Sequence, residues 1–539
     1  MNGFFRLDHQ AASSVTPSVW VKAPQKSIAV LPFESLSDNK SDSYFADGVQ
    51  DEILNNLAKI AQLKVISRTS VMQYRADSKR DLRQIAIALG VANVLKGTVR
   101  RDGNHVRVST ELVDAQNDNT IWADSYDRDL TDIFAIQTEV AQTIASKLAA
   151  TLSPEEKKSI LARPTNNLEA YDLYLRAKEL IADVYASFSV GNVEKPLGDA
   201  IGFLEQATHI DPKLTLAYCA SAEVNDLFYG RDDPSPERRA LGDEAVNSAL
   251  SLEPDLPEVH LAYGRHLYVC YRDYDRARVQ LAIAKRSLPN NAEAIMLGAW
   301  IDSRQGNFEK AIQDQIEAVR RDPRDWVLIN DLAGTLYSTR QFRAAEQFYD
   351  RAIDLAPDRP MLKLLGAFAE TTLKTGDNTR LRLALAALPP AMAKDRTVLS
   401  LQLSCALSDG DWRRATELVD KMKGGEDNQF AYALVSVPIG CYSILLSRLQ
   451  GQETGVNSSF AETRQQLSQK VQRSPGKAAY LLSNLAVVDA LLGHKEAAIS
   501  EAKHAVELLP IFQRRGGRSW YDNESRHRLR VDQGVGSGL

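Results

Sequence analysis

The chain has 539 residues, of which 44% are hydrophobic and 25% charged, and a formal net charge of -5. That length exceeds one globular core and suits several units of about 150 residues, or a domain followed by a solenoid, while the composition excludes a chain that must wait for a partner to fold. So weak a charge gives no global attraction to nucleic acid or an anionic membrane, and Cys219, Cys270, Cys405 and Cys441 lie too far apart for a zinc knuckle or a disulfide framework.

Residues 1–26 carry Pro17 and Pro24 and read as a linker or disordered segment. Arg6 and Asp8 interrupt any apolar run long enough for a secretory signal, so a cytoplasmic protein is expected. Residues 27–152 alternate short β-rich runs with helical stretches. Ser27–Phe33 is a continuous apolar run closed by Pro32-Phe33, the pattern of a buried strand. In 44–60, Phe45, Val49, Ile53, Leu57 and Ile60 recur every three or four residues, with Asp47, Asp51 and Glu52 placed as helix-start acids. A second strand over 64–67, a helix over 81–89 ended by Gly90, and a third strand over 93–101 follow. Asp102-Gly103 signals a hairpin into a strand at 105–113, 120–125 supplies a fifth strand, and a helix from Asp132 to about Leu152 closes the segment. The order β-α-β-α-β-β-β-α predicts an α/β sandwich on a mixed sheet.

Several pieces of this segment resemble the TolB-like domain that precedes tetratricopeptide repeats in many bacterial signalling proteins. They are Ile28–Phe33, Tyr44–Gly48, Ile66–Ser70, Leu89-Gly90-Val91, Gly97–Arg101, and Trp122-Ala123 with Tyr126-Asp127-Arg128. Lys96 departs from the acidic residue common in that family before the glycine. The resemblance implies a binding or sensory module. In related proteins it commonly follows an adenylate cyclase, winged-helix or kinase domain; here it implies the regulatory half of such a protein.

From 165 to 510 the chain is helical and follows a ruler of 34 residues. Pro289, Pro323 and Pro357 keep that interval; so do Tyr274, Phe308 and Phe342, then Ala277, Ala311 and Ala345, then Ala284, Ala318 and Ala352. Alanines seven apart share one helix face and let neighbouring helices approach closely; the proline ends the second helix, and Gly306, Gly410 and Gly493 sit in turns. These columns resemble the tetratricopeptide repeat, best over 326–357, and imply six to eight helical hairpins. The expected fold class is therefore α+β, a mixed α/β sandwich domain followed by an all-α superhelical solenoid.

Helical spacing brings His266, Cys270, Trp300, Arg304, Asn330 and Tyr337 near one face of the first helices, where a protein or peptide would bind. For Trp300 and Tyr337 a place in the core is equally open, and for His266, Arg304 and Asn330 a solvated surface. Arg68 has two readings, an anionic ligand at the sheet edge or a local hydrogen bond. His260 and His266 are six apart, on different helix faces, which argues against a shared metal. Pro475-Gly476-Lys477 reads as a turn, not a phosphate loop, and G-x-S-x-G and H-E-x-x-H are lacking. Phe430–Ser447 is uncharged, but Pro438 and its repeat context favour a buried hairpin over a membrane span. The basic tail 511–539 reads as disordered. Together these features predict a non-catalytic interaction scaffold without cofactor, nucleic acid or membrane partner. The alternative is a regulator of transcription or of an adenylate cyclase that works with a separate or lost effector.

Overall fold

The computed structural model describes residues 23–37, 43–75, 81–187, 193–231, 233, 235–373, 377–422, 442, 446, 450, 456–473 and 478–508. The expectations for residues 1–22, for most of the apolar run 430–447, for Pro475-Gly476-Lys477 and for the tail fall outside them. The chain divides into two compact units. One comprises the residues up to Thr335 with Gln347–Arg359; the other comprises Leu336–Glu346 and the residues from Pro360 onward.

The first unit opens with a six-stranded mixed sheet. Its strands are β1 (Ser27–Val30), β2 (Glu34–Ser35), β3 (Lys64–Val65), β4 (Asn93–Asp102), β5 (His105–Asp114) and β6 (Asn119–Asp129), in the order β3-β1-β4-β5-β6, with β2 beside β4. β1 pairs in parallel with β3 and β4, whereas β4, β5 and β6 run antiparallel. Both faces of β1 are covered, as its unbroken apolar run requires. Ile28 and Val30 face a core with helices α1 (Ser43–Ala58) and α4 (Ile133–Lys147), while Ala29 and Leu31 face the opposite core with α2 (Arg68–Met72) and α3 (Leu82–Leu89).

Three local details differ from the sequence expectation. Asp102 still pairs with His105, so the hairpin loop is Gly103-Asn104, with Gly103 at φ 58°. The closing helix stops at Lys147; Ala149 turns left-handed (φ 52°), and a separate α5 (Pro154–Leu161) starts at a capping box. There Ser153 Oγ accepts from the Glu156 amide (3.1 Å) and Glu156 Oε2 accepts from the Ser153 amide (2.7 Å). β2 and α2 are additions too short to produce a period. Lys96, the departure noted above, pairs with Glu111 directly across β5 at 2.8 Å.

Helices then follow in pairs. In the first unit these are α6 (Leu168–Ser187) with α7 (Glu194–Ile210), α8 (Thr215–Arg231) with α9 (Pro236–Leu252), α10 (Pro257–His266) with α11 (Tyr274–Ser287), and α12 (Ala292–Arg304) with α13 (Phe308–Arg321). The helices Trp326–Ser338 and Phe342–Leu355 follow, each with residues in both units. In the second unit Pro360–Leu373 pairs with Thr379–Ala386, Arg396–Ser408 with Trp412–Met422, and Ala478–Leu491 with Lys495–Leu508. Both alanine columns are buried throughout: Ala277, Ala284, Ala311, Ala345 and Ala352 are fully inaccessible, and Ala318 nearly so. No helix among the described residues is long and apolar enough to cross a membrane.

The sheet domain is welded to the repeats. One apolar cluster runs without a break from Ile28 through Tyr171 to Phe228, because α6 covers the helices that cover the sheet. The turns that enter successive repeats then touch the sheet domain in order. Lys59 meets Glu258 at 3.6 Å, and Asn290 Nδ2 donates to the carbonyls of Ala58 (3.3 Å) and Ile60 (3.1 Å). Arg324 donates to Gln73 Oε1 through Nε (3.2 Å) and Nη2 (2.5 Å).

The turns within five of the hairpins add a column that residue types hide. Arg272 (φ 54°), Gly306 (φ 76°) and Arg340 (φ 64°) stand 34 residues apart and all adopt the left-handed conformation, as do Gly410 and Gly493. The fold demands this backbone even where a Cβ is penalised. Gly306→Ala should therefore cost about 1–2 kcal/mol in urea unfolding, whereas Arg340→Gly should leave stability unchanged or raise it.

Candidate functional site

The residues expected on the groove separate into three environments. Trp300 and Arg304 come together on α12 with Tyr268, which follows α10: the Trp300 and Tyr268 rings stack at 6.1 Å, and Arg304 Nε donates to the Tyr268 hydroxyl at 3.4 Å. Trp300 is half-buried and Arg304 exposed, so the strip has an accessible edge on two successive repeats. Trp300 Nε1 donates to Asp331 Oδ2 at 3.0 Å; burial pushes the Asp331 carboxyl up to about 7, with the Trp300 hydrogen bond opposing. Asn330 is buried, and its Oδ1 has no hydrogen-bond partner among the described residues. Tyr337 packs in the second unit against Phe342 (5.3 Å) and Phe368 (5.8 Å), a mixed core and surface position.

His266 lies inside, 1% exposed, and both ring nitrogens face carboxylates: Nδ1 is 2.7 Å from Asp226 Oδ1 on α8 and Nε2 is 3.1 Å from Asp243 Oδ1 on α9. Immediately after it the helix widens into a π-turn over Leu267–Tyr271, an uncommon geometry that tends to mark functional positions. Cys270, buried within this turn, donates its thiol to Asp226 Oδ1 at 3.3 Å, and the Tyr271 hydroxyl donates to Asp243 at 2.9 and 2.8 Å. Burial, then the negative charge of Asp226, pushes the Cys270 thiol well up. Burial alone would lower the His266 imidazole, but hydrogen bonds and charge from Asp226 and Asp243 outweigh it and raise it. With its proton held and its hydrogen bond going to an acid, Cys270 is no activated nucleophile, so this trio does not make a Cys-His-Asp catalytic relay.

Arg68 is the first residue of α2, and its partners are on α1. It donates to Asp51 and stands 3.7 Å from Asp47, which also accepts from Arg75. Asp47 and Asp51, expected as helix-start acids, are thus counter-ions that tie α2 to α1, with Asp183 and Glu179 adding to the negative field around Arg68. The local reading of Arg68 is the one this geometry supports.

Beside it, Ser67 and Ser70 meet the repeat turn before Trp326. The Ser67 amide donates to Asp322 Oδ2 (2.8 Å), Ser67 Oγ to Asp325 Oδ2 (2.8 Å), and Ser70 Oγ to Asp322. Asp325 also caps the next helix, its Oδ1 accepting from Val327 (3.0 Å) and Leu328 (3.2 Å) amides. Burial and the adjacent Asp322 charge raise the Asp325 carboxyl to about 7, and burial raises Asp322 as well. The sequence showed no sign of this clasp, because its two halves are some 250 residues apart.

Residues 24–143 match the family described as HilA/YgeH-like transcriptional regulator, second domain. Over 238 residues the chain is 33% identical to a putative adenylate cyclase 3 of Rhizobium meliloti, a stretch that covers 43% of this chain and 39% of that protein. The chain thus spans well under half the length of this relative. Among solved structures, PilF of Pseudomonas aeruginosa is 20% identical (TM-score 0.29; 40% of this chain, 90% of that one). The tetratricopeptide protein TTC0263 of Thermus thermophilus is 16% identical (TM-score 0.32; 37% and 98%). Likeness at these scores carries no argument about this chain.

Two outcomes test the geometry. Trp300→Phe leaves half-buried Asp331 without its donor and should destabilise by about 1 kcal/mol in urea unfolding; Trp300→Phe with Asp331→Leu should recover part of the loss, since neither polar group is then stranded. Asp325 has a folded pKa above its unfolded one, so its proton is held more tightly in the folded chain. Its contribution is complete below about pH 4 and fades as pH rises through about 7. Asp325→Asn keeps the cap and removes the charge, so its melting temperature should exceed the wild type's most at pH 8, and the difference should shrink steadily as pH falls and close only below about pH 4.

Proposed function

We propose that this protein is a non-catalytic regulatory scaffold whose repeats bind a protein or peptide along the first helices, while the α/β domain serves as a sensory or partner-binding module of the TolB-like kind. The observation that carries this reading is the Tyr268–Trp300–Arg304 strip. Tyrosine, tryptophan and arginine are the side chains that dominate binding energy at interfaces, and here they are stacked and braced in advance, which lowers the ordering cost of association. Cys219, Cys270 and Cys405 all have raised thiols, and with the ion-paired His266 they supply no nucleophile–base pair among the described residues.

A second reading is favoured by the match of residues 24–143 to the second domain of a transcriptional regulator and by the cyclase relative. In it the chain governs transcription, or an adenylate cyclase, through an effector carried elsewhere. One experiment separates the readings. Cross-linked complexes from the native host are compared by mass spectrometry between wild type and Arg304→Glu, and the purified chain is assayed for cyclic AMP formation and for DNA binding. A partner lost selectively from Arg304→Glu, with no turnover, is the expected result; it points to the second reading if that partner is a cyclase or a DNA-binding protein. Unchanged partners in Arg304→Glu would remove the groove assignment, and cyclic AMP made by the purified chain would remove the non-catalytic one.

A further inference from the structure

We propose that Asp226, His266 and Cys270 form a zinc site, with Cys270 Sγ, His266 Nδ1 and an Asp226 carboxylate oxygen as protein ligands and Asp243 as the outer carboxylate that orients the imidazole. The three donor atoms lie within 4.8 Å of one another, and all three residues are buried. Asp226 is 2% exposed, and its Oδ2 is buried with no hydrogen-bond partner among the described residues. A buried carboxylate oxygen left over in a cluster of hydrogen-bonded groups is costly, and a cation is the partner that would satisfy it.

The donors are arranged as an ion would need them. His266 and Cys270 are four residues apart, so one helical segment presents both, and α8 brings Asp226 against them. Asp243 accepts from Nε2 and is itself held by the Tyr271 hydroxyl, which leaves the Nδ1 lone pair for a metal; carboxylate–histidine–metal arrays work in this way. Gly242 makes room for the ring, since a Cβ there would lie 2.7 Å from His266 Cε1. Around tetrahedral zinc, donors at about 2.0–2.3 Å from the ion stand roughly 3.3–3.5 Å apart. The present separations of 2.7 Å (Nδ1 to Oδ1) and 3.3 Å (Sγ to Oδ1) are those of the protonated cluster and bracket the lower end of that range, and every donor pair lies within 4.8 Å. As the ion enters, one proton leaves Nδ1 and one leaves Sγ, both to solvent, and no electrons move. One thiolate, one imidazole and one carboxylate select zinc over magnesium or calcium, and three protein ligands leave a fourth position. The ion would bolt α8 to the α10 segment and stabilise the repeat stack.

The full chain, without an affinity tag and stripped with a chelator, is titrated with cobalt(II) and then zinc(II). The expected result is one tetrahedral cobalt per chain with a thiolate-to-cobalt charge-transfer band in the near ultraviolet, displaced by zinc. Cys270→Ala should abolish the band and Cys219→Ala should keep it, while Asp243→Asn should weaken binding about 10–100-fold. Should Cys270→Ala fail to fold by circular dichroism, zinc K-edge absorption of the unmutated chain decides instead, with one sulfur among nitrogen and oxygen scatterers expected. Absence of the charge-transfer band in wild type, its persistence in folded Cys270→Ala, or a zinc shell lacking sulfur would overturn the site and leave the cluster a buried hydrogen-bond network only.

Discussion

The structure of the first unit depends on where the outer faces of α1 and α4 go. These helices bury one side of the sheet, yet they are apolar enough on their second side to need a cover of their own. α6 supplies it: Tyr171, 2% exposed, stands edge-on to Phe134 of α4 at 4.6 Å, and the same cluster continues through Leu204 of α7 to Phe228 of α8. The sheet domain and the first repeats therefore share one core, and a cut near residue 160 would expose apolar surface on both sides. Polar contacts add register to this burial. Glu258, Asn290, Arg324 and the Asp322–Asp325 turn meet the sheet domain from three consecutive repeats, so a rigid shift of the domain would break all of them together.

That arrangement gives the acidic clasp a particular character. Two buried aspartates accept from Ser67 and Ser70 at a seam between sheet domain and repeat; burial raises both carboxyls, and the charge of Asp322 raises Asp325 further. The seam is tightest when the pair carries less than its full charge. Neighbouring Arg68 does not relieve it, because Asp47 and Asp51 already hold that guanidinium.

Periodic features were legible in the sequence, and contacts across elements were not. The alanine columns and the two-faced burial of β1 each follow from spacing alone, since one face of a helix or strand must meet a packed neighbour. The left-handed turn was legible only at glycines; Arg272 and Arg340 adopt it because closure of the hairpin outweighs a penalty of about 1 kcal/mol. β2 and α2 are too short to show a period, and the early end of α4 rests on one left-handed residue, Ala149. For the site, counting helix faces placed His266 with Trp300. It could not reveal Asp226, which lies 40 residues earlier and reaches His266 only because α8 packs beside α10. The spacing of His266 and Cys270 was the available clue, and it is informative only once a third donor is known.

The places where the repeat breaks its own rule are physically connected. Gly242 stands where the other hairpins carry the first small alanine, and the π-turn at Leu267–Tyr271 replaces the regular end of a first helix. An alanine at 242 would drive its Cβ into the His266 ring, so the glycine follows from the histidine. The π-turn carries Cys270 to Asp226 Oδ1, the same oxygen that meets His266 in this buried cluster. By contrast, the helix Phe308–Arg321 fills its buried face mostly with Ala311, Ala318 and Val319, beside a single buried polar residue, Gln315. Keeping three buried polar side chains and a rare backbone here sacrifices packing energy, which is the pattern of a position retained for what it binds.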